Sequence, residues 1–72
     1  MKTVLVFKTS VTRNNEVSLL RPLLNDLINK EGRWNFDLED CDKILRVETV
    51  KPKPEAVVSA LKFKGFRCEE LL

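Results

Sequence analysis

Two cysteines and no histidine limit the chemistry open to this 72-residue chain. Without histidine, the commonest general base and the commonest transition-metal ligand are both missing. Cys41 stands between Asp40 and Asp42, with Asp37 and Glu39 just before it. One thiol among carboxylates could recruit a metal, and the carboxylates alone could be visited by a hard cation. The spacing fits no calcium loop, and the flanking negative charge works against nucleophilic use of the thiol. The plainer reading is an exposed thiol on a solvated acidic turn. Cys68 alternates with Arg67 and Glu69 in an extended pattern, which places it beside Phe66 as a small buried hydrophobe. No nucleophile stands beside a base, and no glycine-rich loop could cradle a phosphate. We therefore expect neither an enzyme nor a cofactor.

Phe63 is the residue that a core does not explain. It lies nearly opposite Val57 and Leu61 on a helical pattern, between Lys62 and Lys64. An exposed aromatic ringed by lysine is a protein-contact pattern. The competing expectation is a ring folded over the helix end onto apolar neighbours. Lys51 and Lys53 form one basic end of the chain, and Lys62, Lys64 and Arg67 form another; a solvated face is the default for both.

Thirteen basic and eleven acidic residues give a net charge of +2. That balance does not argue for nucleic acid or an anionic membrane. The longest apolar run, Val4-Leu5-Val6-Phe7, is far short of the ~20 residues that a spanning helix needs. Met1-Lys2-Thr3 leads into that run with no h-region and no cleavage site, so the expectation is a cytoplasmic protein with free thiols. Length and composition predict one globular domain over residues 1–72.

The elements that must position these residues follow from periodicity. Thr3 to Lys8 is β-branched and aromatic, hence a strand, and its inward face is either Val4/Val6 or Leu5/Phe7. Thr9 to Asn14 reads as a loop. Asn14 or Asn15 suits a helix N-cap, and Glu16 suits the first turn. Val17, Leu20, Leu24 and Leu27, widened by Leu23 and Ile28, form a helical stripe. Pro22 lies off that stripe on an exposed side, and Gly32 is expected to close the helix. Trp34, Phe36 and Leu38 alternate with polar residues, as do Leu45 and Val47. A two-residue turn at Cys41-Asp42 would pair Leu38 with Leu45, Phe36 with Val47 and Asp37 with Arg46. Pro54 and Glu55 open a second helix with Val57, Val58, Ala60 and Leu61 inside, and Gly65 just past its end. Phe66 to Leu71 is a last, edge strand. The order β-α-β-β-α-β predicts an α+β, ferredoxin-like sandwich, a four-stranded antiparallel sheet with two helices on one face.

The segment Pro54-Glu55-Ala56-Val57-Val58-Ser59-Ala60-Leu61-Lys62-Phe63-Lys64-Gly65-Phe66 resembles the second helix and exit of the heavy-metal-associated, copper-chaperone-like domain family. Val17, Leu20 and Leu24 are similar to its first helix. The resemblance implies a metal-carrier frame. That family holds a soft ion such as Cu(I) in a Met-x-Cys-x-x-Cys loop; here the matching positions are Val11, Arg13 and Glu16, and no cysteine precedes Asp40. The resemblance is thus to a degenerate member without its metal loop, and Arg13 and Glu16 could form an exposed ion pair instead.

The function expected from these readings is a non-enzymatic interaction module. It would dock a protein partner through Phe63, Lys62 and Lys64, or associate with itself through the sheet. The alternative is a protein that binds copper or zinc through displaced ligands such as Cys41. Two classes with the same topology fit less well. RNA-recognition domains stack bases on aromatics of the central strands, whereas Lys43 to Thr49 has none and only Phe7 remains. Amino-acid-sensing domains often carry a glycine-rich first loop, and Thr9 to Asn14 has no glycine.

Overall fold

Alternation in the first strand decides which face is inside. In the computed structural model, which describes residues 2–28 and 32–71, Leu5, Phe7 and Thr9 point inward and are buried. Val4 and Val6 face outward. The strand, β1 (Thr3–Thr9), runs one residue beyond the expected Lys8 because Thr9 continues the same inward set. The elements that follow are α1 (Asn14–Ile28), β2 (Gly32–Asp37), β3 (Ile44–Thr49), α2 (Pro54–Phe63) and β4 (Cys68–Glu70). They form an α+β structure with one four-stranded sheet in the order β2-β3-β1-β4, every neighbouring pair antiparallel. β1 and β3 are therefore central, and β2 and β4 are the edges.

Both helices bury their stripes against the same sheet face. Leu20, Leu24 and Ile28 of α1 and Val57 and Leu61 of α2 meet Leu5, Phe7, Leu45, Val47 and Cys68 in one core. Removing such side chains from water is the main favourable term in a domain this small. α1 runs through Pro22, which is exposed, as its position off the Leu20/Leu24 face requires. α2 ends as its sequence dictates. Gly65 takes φ +88°, its N–H donates to Lys62 O at 2.9 Å, and the Phe66 N–H donates to Leu61 O at 2.9 Å. These two bonds satisfy carbonyls that the helix end would leave bare.

Three expectations need correction. Gly32 does not close α1: it is the first residue of β2, and residues 29–31 lie outside the described residues. A Cβ at Gly32 would overlap the Glu48 carbonyl oxygen, so glycine is needed for β2 to approach β3. Neither Asn14 nor Asn15 caps α1: the Arg13 carbonyl already accepts from Val17 N–H at 3.2 Å, so Arg13 is the cap residue. The β2–β3 register is also shifted. Phe36 faces Leu45, Trp34 faces Val47 and Asn35 faces Arg46, two residues away from the expected pairing. A two-residue shift returns every side chain to the same face, so apolar alternation could not detect it. The loop from Leu38 to Lys43 makes the difference. Asp37 and Asp40 carboxylates accept from Glu39 and Asp42 N–H at 3.2 and 2.8 Å, and Lys43 takes φ 52°. These are side-chain-stabilised turns, wider than a two-residue hairpin.

Candidate functional site

The loop before α1, which carries Val11 and Arg13, is closed by a carboxylate. Glu16 Oε1 accepts hydrogen bonds from the backbone N–H groups of Thr12 at 2.9 Å and Arg13 at 3.1 Å, and from the Thr12 hydroxyl at 3.2 Å. Glu16 is three residues past the cap residue Arg13, the position from which a glutamate reaches back to the cap N–H. The hydrogen bond from Thr12 N–H, helped by those from Arg13 N–H and the Thr12 hydroxyl, holds the carboxyl below its ordinary value against the opposing effect of desolvation. The main tie between Arg13 and Glu16 is the backbone N–H bond, and the charge attraction expected between them is a lesser contribution. Val11 is buried in the core, and its N–H donates to Thr9 Oγ1 at 3.2 Å. Val11, Arg13 and Glu16 offer no thiolate, and the Glu16 oxygen is committed to amides. A soft ion does not fit this loop.

Cys41 is exposed in the Leu38–Lys43 loop, and Cys68 is buried in β4. Both are free thiols. Burial pushes the Cys68 thiol up to about 11, slightly offset by the charge of Lys62. One ligand atom each of Asp40, Cys41 and Asp42 lie within 4.8 Å of one another. Asp40 also holds the turn through Asp42 N–H, and Asp42 pairs with Lys8 at 3.7 Å. The loop is tied to β1 by Thr9, whose hydroxyl donates to Lys43 O at 2.7 Å and whose N–H donates to the same carbonyl at 3.1 Å. Sequence reasoning missed this role of Thr9; its place in the Leu5/Phe7 alternation was the available signal.

Phe63 is 82% exposed at the last position of α2, with Lys62 and Lys64 on either side and Lys64 Nζ 5.9 Å from its ring centroid. The ring does not fold back over the helix end. Phe7, the aromatic that a base-stacking surface would have needed, is fully buried.

A second apolar feature adjoins the core at Trp34, which its strand alternation places on the inner side. Trp34 is half-buried, packs against the core from β2, and meets Phe36 edge to face at 5.9 Å. Its indole N–H donates to Asn25 Oδ1 at 2.9 Å, and the Arg21 guanidinium lies 5.8 Å from its ring centroid. Arg21 and Asn25, four residues apart on α1, form one wall of an open groove of about 430 Å³; Trp34, Phe36 and Leu38 form the other. That i, i+4 polar pair beside an apolar stripe was the only sign of the groove in the sequence.

Among the described residues, no helix is long and apolar enough to cross a membrane. No family model matches this chain, and neither the curated proteins nor the solved structures give a match to it.

Proposed function

We propose that this chain is a small non-enzymatic protein-interaction module, built on a ferredoxin-like frame similar to that of the heavy-metal-associated domains but without their metal loop. The strand order, the two helical crossovers and the single helix-covered face support the frame. The observation that carries the function is Phe63, an aromatic held 82% exposed beside two lysines. Burying such a ring is among the larger gains a contact can make, and adjacent lysines select a partner surface that bears carboxylates. A cytoplasmic setting belongs to this reading, supported by the two unpaired thiols. The test compares partner capture by the parent, Phe63→Ala and Lys62→Glu/Lys64→Glu. Loss of the captured partner in both variants is the expected result. Unchanged capture and self-association in Phe63→Ala would remove α2 as the contact.

One observation favours a second reading, the clustering of Asp40, Cys41 and Asp42 ligand atoms. A thiolate with two carboxylates could take zinc, or share copper with a second chain. Titration of reduced protein with Cu(I) against a competing chelator, and with Zn²⁺, separates the readings. Binding that disappears in Cys41→Ser would carry this one.

A further inference from the structure

β2 and β4 end the sheet in different ways. β4 is three residues long, with Glu69 and Glu70 on it, the short and charged form that discourages further pairing. β2 is six residues long and has no proline and no lysine. Among the described residues, nothing pairs with its outer edge. Both faces of that edge are open: the groove of about 430 Å³ lies on the helix side, and a hollow of about 250 Å³, lined by Arg33, Asn35, Arg46 and Glu48 and reaching Trp34 at the edge, lies toward the other.

The residues along this edge are complementary to themselves. We infer that a second copy of this chain adds antiparallel to β2 about a two-fold axis at Asn35, setting Arg33 opposite Asp37 and Trp34 opposite Phe36 across the seam. Opposite residues in an antiparallel pair share a face. The two Arg33–Asp37 pairs therefore lie on the open face, flanking the Asn35 pair. The two Trp34–Phe36 pairs lie on the helix side, where they close the grooves over one continuous aromatic cluster. Arg33 reaches Glu48 at 3.8 Å through Nε, so its terminal nitrogens remain for a second carboxylate. Asp37 uses Oδ1 for Glu39 N–H, so Oδ2 remains for the incoming arginine. Centring the pair on Trp34 or on Phe36 leaves Asp37 without the arginine or opposes it to Asn35. Among pairings between residues of β2 itself, the Asn35-centred register is the one that sets opposite charges face to face. The result is an isologous dimer with an eight-stranded sheet. It goes beyond the Phe63 reading and uses a different surface.

The test is sedimentation velocity of the full chain from about 10 µM to about 1 mM, a range that spans modest affinities. The parent should pass from monomer to dimer. Arg33→Asp and Asp37→Arg should each weaken self-association roughly tenfold or more, because two pairs change from attraction to repulsion. An equimolar mixture of the two should form a heterodimer, since each mutated site then meets its opposite charge. Phe63→Ala should dimerise like the parent. A covalent readout needs no charge change: in a Cys41→Ser background, Asn35→Cys should cross-link to a dimer in glutathione redox buffer, and Ser59→Cys, exposed on α2, should not. A parent that stays monomeric at the highest concentration overturns the inference, including the case in which the edge instead takes a peptide of another protein. Single charge variants that dimerise like the parent, or equal cross-linking at the two positions, overturn it as well.

Discussion

The Trp34 indole N–H donates to Asn25 Oδ1 at 2.9 Å, and this bond fastens the edge strand β2 to the outer face of α1. It also holds the ring against Phe36 and under Arg21, with one side toward the groove. A partly exposed hydrogen bond of this kind contributes about 0.5–1.5 kcal/mol. Asn25→Ala should lower stability by that amount in urea. Because Trp34 is the one tryptophan, native emission should move to longer wavelength as the ring loosens. An unchanged emission maximum and midpoint would mean that packing against the core alone fixes the ring.

Glu16 predicts an acid dependence. Its folded carboxyl titrates below its ordinary value of 4.5 because Thr12 N–H and Arg13 N–H bond the charged form. A lowered folded value means that the native state binds fewer protons than the unfolded chain. The stabilisation is therefore present above pH 4.5 and is lost as pH falls through the folded value. Glu16→Gln keeps the acceptor oxygen and removes the charge. The difference in Tm between parent and variant should be full at pH 7 and should shrink steadily below pH 4.5. A difference that stays constant down to the acid limit would assign Glu16 a purely steric role.

The two glycines are required for different reasons, and substitutions can separate them. At Gly32 a Cβ meets the Glu48 carbonyl, whereas at Gly65 nothing lies within 4 Å and only φ +88° is restrictive. Gly32→Ala should cost about 1–3 kcal/mol by pushing β2 from β3, and Gly32→Asn should be no better. Gly65→Ala should cost about 1 kcal/mol, and Gly65→Asn should recover part of it, because asparagine tolerates the left-handed region. Chemical denaturation of the four variants checks the pattern. Equal costs for Ala and Asn at Gly65 would contradict a conformational origin.

The parts of the fold set by alternation and helical period were legible: the inner stripe of α1, the Gly65 exit of α2, the inward turn of Cys68 and the exposure of Phe63. What escaped was set by side chain–backbone bonds or by spacing in multiples of two. Asp37 and Asp40 widen the β2–β3 loop through their carboxylates, and a register displaced by two residues keeps Phe36 and Trp34 on the same face. Gly32 can follow a helix or begin a strand; only the approach of Glu48 distinguishes the two. The groove at Trp34 was hidden for a related reason. Arg21 and Asn25 look like solvated helix positions until β2 is placed beside them.

Cys68 gives the alkaline counterpart of Glu16. Burial raises its thiol from 9.0 to about 11, so the native state holds a proton that the unfolded chain releases. Stability from this group is complete below pH 9.0 and is lost as pH rises through about 11. The full loss amounts to about 3 kcal/mol, the cost of ionising the thiol in the core relative to water. Lysines also titrate at that end of the scale, so the comparison needs a variant without the thiol. Cys68→Ala should be less stable than the parent at pH 8 by roughly 1–2 kcal/mol of lost packing. Its stability should then fall less steeply than the parent's between pH 9.0 and 11, so that the two curves meet and cross as the pH approaches 11. A thiol reagent gives a second readout: at pH 8 the native chain should react once, at exposed Cys41, and the unfolded chain twice. Parallel alkaline limbs, or two fast thiols in the native chain, would mean that the pocket around Cys68 opens to water far below the global unfolding free energy.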